Sequence, residues 1–314
     1  MTQPLQYVLV TPARNEAQYI GLTLESMIAQ THKPLKWVIV SDGSTDGTDE
    51  IVRKHLDAHP WIELVRMPER AERHFAGKVT AFNAGYEQAI GLKFEVVGNL
   101  DADVSFEPDL FEFLMTKMAE DAELGVSGAP FREGDFQYDY RYTNIENVWG
   151  GCQMFRRECF DGIGGYMPLK GGCIDHVAVL SARMHGWKTR TFTEKVCMHH
   201  RQMGTALHGG LKAKVRVGQK DYSVGNHPLW QLFRTVYQMS KPPLVAGGVA
   251  MGWGYAKSMF QRAEIPLSKD LVAFVREEQL GRLKKLFGGK PKPRAARTAP
   301  RITRPAPSVG EESR

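Results

Sequence analysis

The chain has 314 residues, of which 42% are hydrophobic and 24% are charged. These proportions are typical of a globular protein with a sizeable core, and they exclude a fully disordered chain, a collagen-like fibre and a polytopic membrane protein. The formal net charge is +6; the chain up to residue 287 sums to about zero, and residues 288–314, with seven basic and two acidic residues, contribute +5. That segment is rich in Pro, Ala and Arg, so it is predicted to be a disordered tail, and no nucleic acid is expected as a partner of the folded part.

The cysteines and the first residues bear on the cellular compartment. The four cysteines, at positions 152, 159, 173 and 197, form no CxxC pair, which favours reduced thiols over a disulfide framework or a zinc ribbon. The opening MTQPLQYVLV lacks the basic region and the long apolar run of a secretory signal. We therefore expect a cytoplasmic protein.

Strand and helix patterns alternate along residues 5–131. Strands are predicted at 7–11, 37–41, 62–67, 95–100 and 125–131, and helices at 19–30, 48–59, 79–91 and 109–122. Continuous apolar strands separated by helices predict a mostly parallel sheet that is covered by helices on both faces. Ligands of such sheets bind at the carboxyl ends of the strands, which directs attention to residues 11–16, 41–48 and 100–105.

Beyond residue 131 the pattern is less regular. A strand is predicted at 153–156, a helix at 175–185 and strands at 188–192 and 195–199, followed by several helices over 206–286. Among the latter, residues 242–256 carry no charge, but spanning a bilayer takes about 20 apolar residues and this segment is shorter. It is either a buried helix or a helix in the membrane interface, where Trp253 and Tyr255 would help to anchor it.

Carboxylates follow two of the predicted strands. Asp101 and Asp103 come directly after the apolar run VVGNL, and Asp42 ends the second strand. In an extended chain residues 101 and 103 point the same way, so both carboxylates would face one ligand. Such hard oxygen ligands suit Mg²⁺ or Mn²⁺, whose common task is to hold a diphosphate. A solvated turn is the alternative for an isolated DxD, so this interpretation depends on the neighbouring motifs.

Other polar residues are predicted at the same edge of the sheet. The first strand ends in TPARNEA, which contains Arg14 and Glu16, and Gly77-Lys78 precedes a helix that carries Asn83. A lysine at that position could reach a phosphate. The sequence has no GxGxxG after a strand, no Walker A loop, no HExxH and no GxSxG, which argues against a dinucleotide oxidoreductase and the other enzyme classes that use those motifs.

Together these motifs resemble the family 2 glycosyltransferases. The resemblance covers roughly residues 5–205 and depends on four motifs in the expected order and spacing: TPARNEA (11–17), VSDGSTDGT (40–48), GKVTAFNAG (77–85) and LDADV (100–104). It implies an α/β protein with the GT-A, or nucleotide-diphospho-sugar transferase, fold. It also implies roles for residues of these motifs. Pro12, Arg14, Glu16 and Asp42 would line the nucleotide pocket, Lys78 and Asn83 would close over it, Asp101 would bind the ribose side, and Asp103 would bind the metal.

The resemblance also points to a general base. In the segment KGGCIDHVAVLSARMHGW, Asp175 takes the place of the aspartate that acts as general base in the family. Ile174 stands where the family usually has glutamate. A helix cap is the structural alternative for Asp175. His176 is a rival base, because an unperturbed imidazole titrates near neutral pH.

A third segment, MHHRQMGT (198–205), follows a predicted strand. Families of this fold often place a histidine or an arginine here, so His200, or else His199, is expected to bind the metal and Arg201 to clamp the diphosphate. Ordinary surface residues are the alternative. Trp149, Gly150 and Gly151 resemble an acceptor-side segment of the family, although a core tryptophan would fit equally well.

The sequence therefore predicts an inverting, metal-dependent glycosyltransferase that moves a sugar from a nucleotide sugar to an acceptor hydroxyl. Its predicted parts are a catalytic domain (1–205, with nucleotide-sugar binding over about 5–131 and the acceptor side over about 132–205), a helical extension (206–287) and the tail. A lipid-linked glycan at the inner face of the plasma membrane is the expected acceptor. Two alternatives remain: a catalytically inactive relative, for which Ile174 is the sign, and a sugar nucleotidyltransferase, which normally has a Gly-rich basic loop where this chain has PARNEA.

Overall fold

The computed structural model of the protein describes residues 3–69, 75–134, 136–137, 144–201 and 210–288. The predicted domain boundary at residue 205, residues 202–205 of the MHHRQMGT segment and nearly all of the basic tail lie outside these ranges.

Within the described residues the chain forms eleven strands and ten helices. The strands are β1 (Tyr7–Ala13), β2 (Lys36–Asp42), β3 (Ile62–Met67), β4 (Val96–Leu100), β5 (Val104–Phe106), β6 (Leu124–Gly128), β7 (Phe131–Glu133), β8 (Phe136–Gln137), β9 (Cys152–Arg156), β10 (Lys188–Thr191) and β11 (Cys197–His199). The helices are α1 (Ile20–Ile28), α2 (Thr48–Leu56), α3 (Phe75–Ala89), α4 (Leu110–Glu120), α5 (Arg157–Gly162), α6 (Ile174–Met184), α7 (Gly210–Ser223), α8 (Pro228–Met239), α9 (Leu244–Phe260) and α10 (Lys269–Leu286).

Seven strands form the central sheet, in the order β10-β6-β9-β4-β1-β2-β3. Neighbouring strands are parallel except for β9, which runs antiparallel to both β4 and β6. The predicted α/β fold with a mostly parallel sheet is therefore confirmed. A second sheet, β5-β11-β7-β8, was not predicted. The single strand expected over 125–131 is divided between the two sheets, with a break at Ala129 and Pro130.

The central strands are buried on both faces, which explains their continuous apolar runs. Alternate residues of β1 enter different halves of the core: Tyr7 and Leu9 pack into one cluster, and Val8 and Val10 into the other. Helices α1 and α4 cover the first face, whereas α3 and α6 cover the second. Helices therefore cover both faces of the sheet, as the sequence predicts.

The register of the sheet brings three loops to one edge. β1 pairs with β2 through Ala13 and Ser41, and with β4 through Val10 and Asn99. Because these strands are parallel, their carboxyl ends meet at the same edge. The residues that follow β1, β2 and β4 are therefore neighbours in space.

The helices after residue 210 pack closely through glycines. A Cβ atom on Gly254 of α9 would lie 2.0 Å from the Val215 carbonyl oxygen of α7, and one on Gly218 would lie 1.9 Å from that of Met251. The uncharged segment predicted at 242–256 thus lies mostly within α9, which continues past Lys257. Among the described helices, none is both long enough and apolar enough to cross a bilayer.

Replacing Gly254 tests this close packing. Gly254→Ala is expected to lower the free energy of unfolding by about 1–3 kcal/mol, because its methyl group would collide with backbone that cannot move aside cheaply. Gly281→Ala is the matched control, since nothing lies within 4 Å of its Cβ position in α10. There the better helix propensity of alanine is expected to add about 0.5–1 kcal/mol. Urea titrations of both variants measure the two effects, and equal stability of the two would contradict the packing account.

Candidate active site

The loops after β1 and β2 are joined by side-chain hydrogen bonds. Asn15, which has a φ of +56°, accepts a hydrogen bond at Oδ1 from the Thr45 backbone N–H at 2.9 Å, and its own N–H donates to Ser44 Oγ at 3.1 Å. The Glu16 N–H donates to Thr48 Oγ1 at 2.8 Å. The polar residues of TPARNEA and DGSTDGT therefore hold each other in place.

Asp42 lies at the end of β2 and is only 7% exposed. Its carboxylate faces Arg14, with 3.9 Å between Asp42 Oδ2 and Arg14 Nη1. Gly43 follows with a φ of +67°, and a Cβ there would lie 2.7 Å from Glu69 Cα. Pro12 lies one strand away, in register with Val40. The predicted nucleotide-pocket residues of the first two motifs are therefore close together.

Glu16 and Asp103 share a basic partner that comes from far along the chain. Arg201 donates a hydrogen bond to the Glu16 carboxylate, and its Nε lies 3.2 Å from Asp103 Oδ2. Burial, followed by the charge of Asp103, raises the pKa of Glu16 to about 7 against the opposing effect of Arg201. Burial and a neighbouring carboxylate therefore both favour the protonated form of Glu16.

Lys78 and Asp101 form a close pair, with 2.5 Å between Lys78 Nζ and Asp101 Oδ1. Burial lowers the pKa of Lys78, but the nearby carboxylates, Asp101 first, outweigh this effect and raise it above its ordinary value. Lys78 is therefore a permanent cation at neutral pH. Asn99 also donates to Asp101, at 3.3 Å. Asn83 lies further along the same helix, α3, and is half-buried.

The segment from Asp101 to Asp103 is a turn between β4 and β5, not an extended chain as predicted. Ala102 is buried in the core, and the two carboxylates have different partners. Asp101 faces Lys78, whereas Asp103 faces Arg201. The charge of Asp101 still acts on Asp103, because it adds to burial in raising the pKa of that carboxyl.

The imidazole next to Asp103 is that of His199, with 3.6 Å between His199 Nε2 and Asp103 Oδ2. The other nitrogen of His199 lies 3.4 Å from Glu133 Oε2, in β7. The ring of His200, which was expected at the metal, instead lies 2.8 Å from Ser105 Oγ. Only the backbone N–H of His200 contacts Asp103, at the carbonyl oxygen. His199 is therefore the histidine whose ring lies beside Asp103, and the ring of His200 lies beside Ser105.

A pocket of about 220 Å³ opens beside these acids. Its lining combines charged groups with an aromatic and glycine-rich wall: Lys78, Asp101 and Asp175, with Phe82, Asn99, Trp149, Gly150, Gly151, Tyr166, Cys173 and Ile174. The predicted general base thus lies in the same pocket as two of the predicted donor-binding residues. The predicted acceptor-side residues from Trp149 to Gly151 line it as well.

Asp175 is the second residue of α6 and lies in its first turn, whereas the N-cap residue is Cys173. A Cβ atom on Gly150 would lie 2.6 Å from Asp175 Oδ2, so the absence of a side chain there leaves room for the carboxylate. Ile174, which stands where the family usually has glutamate, is buried and packs into the core at the wall of the pocket. The structure therefore puts one carboxylate, not two, at the start of α6.

His176 has the properties of a weak base. Burial, followed by the charge of Arg183, lowers the pKa of His176 to about 4. The imidazole is therefore neutral at pH 7 and has little affinity for a proton. It is also absent from the residues that line the pocket. Of the two candidates, Asp175 has the better position.

Sequence reasoning missed Tyr166, which lines the pocket and is held by a buried glutamine. The Tyr166 hydroxyl donates to Gln153 Oε1 at 2.8 Å, and Gln153 Nε2 donates to the Val148 carbonyl at 3.1 Å. Tyr166 lines the pocket, and burial raises its pKa, so the phenol stays protonated. Its only signal in the sequence is its place in a glycine-flanked loop, GGYMPL, before Asp175.

Comparison with known proteins identifies the family. Residues 8–183, more than half of the chain, match the model of glycosyl transferase family 2, and the chain belongs to that family. An uncharacterised glycosyltransferase of Escherichia coli, YibD, is 33% identical over 113 residues, which are 36% of this chain and 30% of that protein. The chondroitin synthase of Pasteurella multocida is 30% identical over 113 residues, or 36% of this chain and 11% of the synthase. The chain thus spans less than a third of either relative.

Solved structures share the fold. The mannosyltransferase PcManGT of Pyrobaculum calidifontis, in complex with GDP-Man and Mn²⁺, has a TM-score of 0.55 and 22% identity, with 90% of this chain and 81% of that chain covered. TarS (residues 1–349) of S. aureus, in complex with UDP-GlcNAc, has a TM-score of 0.52 and 13% identity, with 90% and 81% covered. At these identities the similarity establishes the GT-A fold.

Replacing Gly150 tests the position of Asp175. Gly150→Ala is expected to push the Asp175 carboxylate aside and to reduce sugar transfer at least about 10²-fold, because misplacing a catalytic group by about 1 Å has an effect of that size. Gly171→Ala is the matched control, since nothing lies within 4 Å of its Cβ position in the loop before α6. Steady-state transfer assays compare the two variants, with circular dichroism to verify folding. Full activity in Gly150→Ala would contradict the assigned position.

Proposed function

We propose that the protein is an inverting glycosyltransferase that moves a sugar from a nucleotide-diphosphate sugar to an acceptor hydroxyl, with Asp175 as the general base. The observation that carries this proposal is the shared pocket, in which Asp175 lies together with Lys78 and Asp101. In such a reaction the acceptor hydroxyl gives its proton to Asp175 while its oxygen attacks the anomeric carbon. The bond from that carbon to the diphosphate breaks on the opposite face, so the configuration is inverted.

The basic residues at the sheet edge support the departure of the diphosphate. Lys78 keeps its proton at neutral pH, and Arg201 presents a guanidinium group between Glu16 and Asp103. Both can stabilise the charge that develops on the leaving nucleoside diphosphate. We also assign Arg14, which lies beside Asp42 at the same edge, to donor binding. We assign Pro12, Glu16, Asp42, Asn83 and Asp101 to donor binding on the same grounds.

We further propose a divalent cation, Mg²⁺ or Mn²⁺, on Asp103 and His199. A search of the described residues finds no group of three or more His, Cys, Asp or Glu side chains that could hold an ion by themselves. The pair still fits, because such ions often take one or two protein ligands and complete their shell with phosphate oxygens and water. Glu133 would orient the His199 ring, as outer partners of metal-binding histidines do. When bound, the cation would neutralise part of the diphosphate charge.

The acceptor that we propose is a lipid-linked glycan of cell-envelope or exopolysaccharide synthesis, at the cytoplasmic face of the membrane. Support comes from the relatives, since one is named chondroitin synthase and another hyaluronan synthase. The pocket also offers an aromatic wall of Phe82, Trp149 and Tyr166, which suits the apolar faces of a sugar ring.

Two substitutions separate the candidate bases. Asp175→Asn is expected to keep donor binding and to lose transfer by about 10²–10⁴-fold, because the amide cannot accept the proton. His176→Ala is expected to retain most of the activity. Thermal shifts with GDP- and UDP-sugars measure donor binding, and product formation measures transfer. Loss of activity in His176→Ala with an active Asp175→Asn would reverse the assignment. Donor binding by the wild type without donor hydrolysis in Mn²⁺ would indicate an inactive relative.

Asp103 and His199 are tested through the metal. Asp103→Ala and His199→Ala are each expected to abolish the additional thermal stabilisation that Mn²⁺ gives in the presence of donor, and Asp103→Ala to reduce turnover at least about 10²-fold. Asp109→Ala, at an exposed carboxylate paired with Lys195, is the control for Asp103, and His200→Ala is the control for His199. If His200→Ala loses the Mn²⁺ effect and His199→Ala keeps it, the proposed ligand is wrong.

A further inference from the structure

Helices α8 and α9 form an antiparallel hairpin that is built from small residues on the inside. Cβ atoms on Gly248 and Gly252 would lie 2.6 Å from the Thr235 carbonyl oxygen and 3.1 Å from the Thr235 side chain. The other buried face of α9, at Gly254, lies against α7. Glycines therefore occupy the contacts of α9 with both neighbouring helices.

The large apolar side chains of the same hairpin point outward. Seven of them are between 55% and 78% exposed: Leu229, Leu232, Val236, Val245, Val249, Trp253 and Phe260. Those of α8 are spaced by three and four residues, and most of those of α9 by four, so each set forms a stripe along its helix. Each stripe lies about a quarter turn round its helix from the contact at Thr235. Because the two helices are antiparallel, both stripes therefore lie on the same side of the hairpin. We call this surface the α8–α9 face.

This arrangement is the reverse of that of a water-exposed helix, which buries its large apolar residues. Small residues between helices and large apolar residues outside are typical of helices that face lipid. The hairpin does not need to cross a membrane for this, since a helix can lie in the interface with its apolar side in the lipid. Trp253, within the α9 stripe, is the amphipathic ring expected at that depth.

The charge of the segment favours an anionic surface. Residues 210–262 contain eight basic residues and one acidic residue, a net charge of +7. The acidic residue, Asp221, is buried and paired with Arg234, at 2.5 Å between Oδ1 and Nη1. Lys241 and Lys257 are exposed near the two ends of α9. Basic residues beside an apolar surface are the combination that binds anionic lipid.

We propose that the α8–α9 face is a docking surface for the anionic lipid surface of a membrane. Packing links this surface to the pocket. Cys173, two residues before Asp175, packs in a cluster with Val224, which follows α7, and α7 in turn packs against α9. The surface stands on its own geometry, and only its link to a lipid-linked acceptor rests on the proposed function.

Vesicle sedimentation of the full chain tests the proposal. The wild type is expected to sediment with vesicles of phosphatidylcholine and phosphatidylglycerol, and less with phosphatidylcholine alone. The triple variant Leu232→Ser, Val249→Ser, Trp253→Ser keeps every charge, including the basic tail, and is expected to lose binding at least about tenfold, because its apolar area no longer enters the lipid. The control triple Leu22→Ser, Ile90→Ser, Leu92→Ser changes residues that are 38–42% exposed elsewhere, and it is expected to bind like the wild type.

Three results would overturn the proposal. The first is a wild type that does not bind the anionic vesicles, and the second is a triple variant that binds as well as the wild type, since the tail or another surface would then carry the binding. The third is a wild type that binds no vesicles and is a dimer in sedimentation velocity, with a triple variant that is a monomer. A second copy of the chain would then cover the face. Donor hydrolysis without vesicles is a separate readout, which the triple variant is expected to keep. If the wild type binds vesicles but hydrolyses no donor, the proposed function is wrong and the docking surface still stands.

Discussion

The candidate site depends on an electrostatic balance at one edge of the central sheet. Parallel strands end together, so the acids that follow them are forced into proximity, and each needs a basic partner brought from another element. Three pairs provide it: Arg14 with Asp42, Lys78 with Asp101, and Arg201 with Asp103. Burial first, and then the neighbouring carboxylates, raise the pKa of Glu16 and of Asp103. These carboxylates and their basic partners are the groups on which the proposed donor and cation binding depends.

The other side of the pocket is held by packing between α6 and the C-terminal helices. Arg183 of α6 is 2% exposed and binds Glu278 of α10 through two hydrogen bonds of 3.0 Å. Val177 and Leu180 of the same helix pack against the apolar side of α10. The helix that carries Asp175 is therefore supported by the segment that the sequence sets apart as a helical extension. Asp175 and the α8–α9 face belong to one continuous packed region.

The sequence predicted the elements with strong local signals and missed those without them. The apolar runs of β1 to β4 and the helices between them were recognised because burial on both faces leaves an uninterrupted pattern. The second sheet was missed as a unit because its strands have two or three residues each, although β11 lies within the strand predicted at 195–199. The choice between His199 and His200 depended on tertiary contacts, since the ring of His199 lies beside Asp103 and that of His200 beside Ser105.

By itself, the sequence determined the fold class, the family and the residues that collect at the carboxyl ends of the strands, because strand periodicity and motif order are local properties of the chain. Tertiary structure decided the rest. It decided that the two carboxylates of the DxD face different partners, that Arg201 reaches Glu16 across 185 positions, and that Gly150 leaves room for Asp175. It also turned the apolar side of α9 outward. These outcomes depend on contacts between residues far apart in the chain, which no local pattern encodes.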